Sequence, residues 1–133
     1  EKTEALKKKV KKALFYPGAV LAVATDRSDG ATLHRELELL AEAGIAPAAI
    51  VTMATLNGAR FVGREADFGS IEPGKWADLL LLEADPTADV RNLRRIVAVV
   101  KGGRVVPRAR LDLPVNARAQ TGIGPPLTSQ GVP

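Results

Sequence analysis

Asp26 stands out by position. It follows the run Ala19-Val20-Leu21-Ala22-Val23-Ala24 and the single polar residue Thr25. In barrel enzymes and open α/β sheets, reactive groups come from the carboxyl ends of strands. A carboxylate there can bind a divalent metal through oxygen and can take a proton from activated water. The plainer alternative is a loop aspartate that bonds its own backbone and starts the next turn. Position alone leaves both open. His34 is the single histidine. One aspartate plus one histidine falls short of the three protein ligands of a catalytic zinc site. Asp29 and Glu36 can pair with Arg27 or Arg35, but acidic residues at a helix start are already explained by the macrodipole. Lys75 and Asp78 flank a turn and are read as holding it. Gly102-Gly103 has no helix after it, as a phosphate loop would require. There is no cysteine, which removes disulfides and thiolate ligands.

The elements that must position these groups follow from periodicity and punctuation. Residues 2–14 read as an amphipathic helix ended near Pro17-Gly18. Residues 19–24 form a small apolar run, consistent with a strand buried on both faces of a parallel sheet. A second helix covers 32–43, with Leu33, Leu37, Leu40 and Ala41 on one stripe and Gly44 placed as a left-handed C-cap. Pro47 suits the first turn of a third helix running to about Phe61, with Ile50, Ala54 and Phe61 on its inner side. Pro73-Gly74 predicts a type II turn that feeds Leu79–Leu82, read as a fully buried strand. Residues 96–100 read as a strand, and Gly102-Gly103 as a two-residue hairpin turn into 104–106. That half is a small mixed or antiparallel β unit. From Pro107 the chain is rich in proline and glycine and reads as a tail that is extended, packed over a partner surface or disordered.

Composition narrows the class. The chain has 133 residues, 46% hydrophobic and 26% charged, which is ordinary for a globular domain and too short for a whole (β/α)8 barrel of ~250 residues. Aromatics make up 4%, so the core must be aliphatic. No apolar run reaches the ~18 residues of a membrane span, and no signal-peptide pattern opens the chain. The net charge of +4 is concentrated in Lys2, Lys7, Lys8, Lys9, Lys11 and Lys12. These lysines interleave with Leu6, Val10 and Leu14 at helical spacing, which describes a solvated helix face. Without interleaved aromatics, nucleic-acid binding ranks last.

Several separated pieces together carry a resemblance: Val23-Ala24-Thr25-Asp26, His34-Arg35-Glu36-Leu37 with Ala43-Gly44, Pro47 to Ala54-Thr55-Leu56-Asn57-Gly58-Ala59-Arg60, Gly69-Ser70-Ile71-Glu72-Pro73-Gly74-Lys75-Trp76-Ala77-Asp78, and Val99-Val100-Lys101-Gly102-Gly103-Arg104-Val105-Val106. In order and spacing they resemble the C-terminal portion of metal-dependent amidohydrolases, closest to the imidazolonepropionase-like and prolidase-like branch. The resemblance implies that Asp26 matches the aspartate after the eighth barrel strand. That residue binds the metal, serves as general base on water and returns the proton to the leaving nitrogen. Ala24 stands where many relatives have glycine. The family's His-x-His pair, its carboxylated lysine and its two further histidines have no counterpart here. His34 falls outside the family's ligand set and reads as a helix-start residue or as one that contacts a ligand without binding the metal. Thr55 and Asn57 match a helix motif and read as packing and hydrogen-bonding groups behind the barrel.

These readings set the expectations. The fold class is α/β: the last strand and helices of a (β/α)8 TIM barrel (residues 1–63), part of a small β-sandwich domain (64–107) and a Pro/Gly-rich tail (108–133). The function is metal-dependent hydrolysis of amide, cyclic amide or dipeptide C–N bonds, with Asp26 as both catalytic residue and metal ligand. The cofactor is Zn2+ or a similar divalent metal, whose other ligands come from a missing N-terminal barrel segment. The partners are that segment and a small-molecule amide or dipeptide substrate, with no nucleic acid and no membrane; a homo-oligomer is compatible, and the location expected is cytoplasmic. The rival reading is a non-catalytic assembly module completed by another chain.

Overall fold

The computed structural model describes residues 4–5, 7–9, 19–26 and 30–111. Residues 4–5 and 7–9 are helical; the rest of the expected first helix, and the tail beyond 111, lie outside the described residues.

Helix α1 spans Gly30–Glu42. Gly44 ends it with φ +91. The Gly44 amide bonds the Ala41 carbonyl at 2.8 Å, and the Ile45 amide bonds the Leu40 carbonyl at 3.2 Å. This is a full Schellman cap, and its apolar partner Ile45 is buried. Pro47 opens α2, Pro47–Ala54, as expected from its fixed φ. The expected run to Phe61 is broken, however. Thr55 has φ −126 and ψ −88, and α3 covers Leu56–Phe61. The Thr55 hydroxyl donates to the Val51 carbonyl at 2.7 Å, the acceptor that its own amide would use in a continuous helix. The amide turns to the Thr52 carbonyl instead, at 3.3 Å. Side-chain bonding of this kind bends and weakens helices, and here it accompanies the break.

Among the described residues, the sheet has three antiparallel strands in the order β1 (Leu79–Leu82), β2 (Ile96–Lys101) and β3 (Arg104–Pro107). Leu80 pairs with Val99, and Val99 with Val106. Gly102 and Gly103 both have positive φ, +55 and +77, as a type I′ hairpin turn demands. Upstream, Gly74 has φ +90 and the Lys75 amide bonds the Glu72 carbonyl at 3.2 Å, closing the expected type II turn. A short 3-10 helix, Val90–Arg94, is capped by the Asp89 carboxylate on the Arg91 amide at 2.9 Å. A last helical turn, α4, covers Arg108–Leu111.

The core is aliphatic, as the composition requires. Leu37, Ile45, Ile50, Met53 and Val90 form its buried centre, with Leu21, Val23, Leu40, Ala41 and Leu93 packed against it. Three expectations about burial are corrected. Among the described residues strand β1 lies at the sheet edge, and Leu80 and Leu81, whose side chains leave it on opposite faces, are half exposed at 50% and 57%. A run of leucines gives no alternation from which to read an edge. Residues 19–25 belong to no sheet among the described residues. Leu21 and Val23 turn inward while Val20, Ala22 and Ala24 are exposed, the period-two pattern of one covered face. Ala54, the last residue of α2, and Phe61 are exposed; for Phe61 the break at Thr55 takes α3 out of phase with α2.

Candidate functional site

The site is built around the segment that ends in Asp26. Asp26 is exposed at a bend closing residues 19–25. Two hydrogen bonds hold the segment to the break between α2 and α3. The Val23 amide donates to the Met53 carbonyl at 3.2 Å. The Asn57 side-chain amide donates to the Leu21 carbonyl at 2.7 Å. Both exist because the helix stops at Thr55. Carbonyls of a last helical turn have no partner inside the helix, so the Met53 carbonyl is open to Val23, and Asn57 enters from the following turn. Beside the segment lies a cavity of about 250 Å3, walled by Leu21, Val23, Leu40 and Met53 with Glu36 and Lys9 at its edge.

His34 lies half-buried on α1. Its pKa is held below the ordinary value of 6.5, first by burial and then by the positive charge of Arg94, against the opposing pull of Glu38. The imidazole is therefore biased toward its neutral form. Glu38 is the hub of a charge cluster: it accepts from Arg94 of the 3-10 helix at 2.6 Å and from Arg35 at 3.5 Å. Arg35 also reaches Glu42 at 2.7 Å. The Arg94 hydrogen bond is the main reason the Glu38 carboxyl sits below the usual carboxylate range. The cluster ties α1, the helix after the Asp26 bend, to the β half of the chain.

Lys75 and Asp78 hold turns, as their positions suggest. The Lys75 ammonium donates to Ser70 at 2.5 Å and to Glu72 at 3.1 Å. Asp78 accepts from the Gly102 amide at 2.8 Å and from Lys101, so the β1 entry is pinned to the hairpin turn and the Asp78 carboxyl is held below the usual range. Gly69 packs hardest: a Cβ there would lie 2.7 Å from the Ala59 Cβ and 3.1 Å from the Leu56 Cα. Two separated sequence pieces, 55–60 and 69–78, thus meet in space.

Among the described residues, no three His, Cys, Asp or Glu side chains converge into a metal-sized group. Arg27 and Asp29 lie outside the described residues. The Asn57–Leu21 and Arg94–Glu38 hydrogen bonds are contacts that the sequence does not specify. Asn57 was legible as a hydrogen-bonding residue, but its partner was not. The Glu38–Arg94 contact spans 56 positions, and one sequence carries no signal for it.

The model of the amidohydrolase family matches residues 3–106. The chain is 30% identical over 103 residues to an imidazolonepropionase of Shouchella clausii, covering 71% of this chain and 23% of that protein. It is 35% identical over 122 residues to an adenine deaminase of Rubrobacter xylanophilus, covering 82% of this chain and 20% of that one. Among solved structures it is similar to a Xaa-Pro dipeptidase, with a TM-score of 0.67 and 27% identity over 79% of this chain and 25% of that chain. The chain therefore spans a fifth to a quarter of the length of these relatives. Matched by the family model over most of its sequence, with the α/β fold of the family's solved structures, the chain belongs to the amidohydrolase family.

Proposed function

We propose that this chain is the C-terminal part of a metal-dependent hydrolase of carbon–nitrogen bonds in small molecules, acting on an amide, a cyclic amide or a dipeptide. The observation that carries the reading is the placement of Asp26: an exposed carboxylate at the end of a segment that is anchored at Leu21 and Val23, in a chain of the amidohydrolase family. Relatives named as an imidazolonepropionase, an adenine deaminase and a dipeptidase support the C–N bond class. They do not agree on one substrate, so the proposal stops at the class.

The donor chemistry suits a divalent ion in part. The Asp26 carboxylate offers oxygen donors to a hard or borderline cation such as Zn2+. It is one ligand where a catalytic site needs three, and the described residues offer no complete set. The remaining ligands are assigned to an N-terminal barrel segment. The half-exposed Leu80 and Leu81 on the edge strand support further chain covering this part, since an open apolar edge invites association. A bound ion would supply Lewis-acid activation of water and carbonyl. Asp26 would accept the proton of the attacking water on one carboxylate oxygen and then deliver it to the departing nitrogen, which leaves as a neutral amine.

Replacing Asp26 by Asn in the full-length protein tests this. Turnover of a panel of small amides, cyclic amides and dipeptides should fall by ~10²–10⁴, the range for losing a general base, with an unchanged circular dichroism spectrum. Turnover within a few-fold of wild type would remove Asp26 from the mechanism.

A further inference from the structure

We infer that Asn57 is a positioning residue for Asp26, an inference that rests on the reading of Asp26 as a metal ligand. In an extended segment, residues two apart present their backbone groups to the same edge. The Leu21 carbonyl and the Val23 amide are such a pair. The first is taken by the Asn57 side chain at 2.7 Å and the second by the Met53 carbonyl at 3.2 Å. The broken helix thus offers one donor and one acceptor in the pattern a neighbouring strand would offer. The Asn57 amide is itself oriented, because its oxygen accepts from Arg60 at 3.4 Å while its nitrogen faces Leu21. Asn57 is half-buried, so losing its donor leaves the Leu21 carbonyl short of a partner in a place water reaches poorly.

The reach to Asp26 is short. From Val23 the chain extends at most ~10–11 Å to the Asp26 Cα, at ~3.3–3.6 Å per residue. The two anchors fix the base of that tether, and so limit the space open to the carboxylate. Thr55 contributes indirectly, since its hydroxyl ends α2 and frees the Met53 carbonyl.

The test uses the full-length protein, stripped of metal and titrated with cobalt(II) as a visible probe. Asn57→Asp keeps size and shape but presents an acceptor to the Leu21 carbonyl, and Asn57→Ala removes the group without adding charge. Both should weaken cobalt(II) binding by ~10–100-fold, as loss of a group that orients a ligand does, and both should alter the cobalt absorption band in the folded protein. A purely structural Asn57 would lower the melting temperature and leave the cobalt band of the folded protein unmoved; that result in Asn57→Ala overturns the inference. Asp26→Asn is titrated in parallel. If it leaves cobalt(II) binding and the band unchanged, the reading of Asp26 as a ligand fails. If it changes them and the Asn57 variants do not, only the role of Asn57 fails.

Discussion

Replacing Gly69 by alanine places two penalties on one added methyl group. The first is conformational. Gly69 has φ +99, where an L-residue crowds its own carbonyl at a cost of roughly 1–2 kcal/mol. The second is steric. The new Cβ would lie 2.7 Å from the Ala59 Cβ, 3.1 Å from the Leu56 Cα and 3.3 Å from the Thr55 carbonyl oxygen. Ala59 is 1% exposed, and the other two atoms are backbone, so none can swing aside. Overpacking of this kind costs about 1–3 kcal/mol. Gly74 is the control: it has φ +90, but a methyl group added there would meet nothing within 4 Å. Alanine also restricts the unfolded chain, which offsets about 0.4–1 kcal/mol at either site. The net expectation is about 0.5–1 kcal/mol for Gly74→Ala and about 2–4 kcal/mol for Gly69→Ala, the difference being the packing contribution. Urea unfolding of the full-length protein, with both variants at unchanged m-value, reads that difference. Equal losses in the two variants would refute the claim that Gly69 is where the 69–78 turn seats against α3.

Two further predictions concern charge and coverage. The His34 pKa is lowered by burial and by Arg94, so below pH ~6.5 the unfolded chain binds a proton that the folded chain resists. Its contribution to stability is complete above that pH and is lost as pH falls from ~6.5 toward the lower folded pKa; His34→Gln should flatten this limb of the stability profile, and an unchanged profile would contradict the assignment. Leu81 is half exposed in this chain, so Leu81→Asp would meet water here instead of a core. If further chain covers β1 in the full-length protein, the same substitution should cost more than ~2 kcal/mol there by burying a charge, whereas a change within ~0.5 kcal/mol would leave β1 an open edge.

Local chemistry was the legible part of this molecule. Gly44, Pro47, Gly74 and the Gly102-Gly103 pair each act through their own φ, and the structure places them as the sequence suggests. What failed depended on neighbours. The Leu79–Leu82 run has no alternation, so nothing in it distinguishes an edge strand from a central one. Residues 19–24 read as doubly buried because small apolar residues suit that setting, yet here only the side bearing Leu21 and Val23 is covered. The break at Thr55 came from a hydroxyl competing for one carbonyl, a contest that helical periodicity cannot register. At the candidate site, Asp26 was picked out by its place after an apolar run and by family resemblance. The contacts that hold the segment before it, from Met53 to Val23 and from Asn57 to Leu21, join positions far apart in the chain and become visible only in three dimensions.

The central claim is that Asp26 contributes to a metal centre completed by further chain. Crystals of the full-length protein grown with its metal, measured at that metal's absorption edge, test it most directly. The account expects an anomalous peak ~2.0–2.2 Å from an Asp26 carboxylate oxygen, with histidines from an N-terminal barrel segment filling the remaining positions. A metal bound elsewhere, with the Asp26 carboxylate turned to solvent, would contradict it.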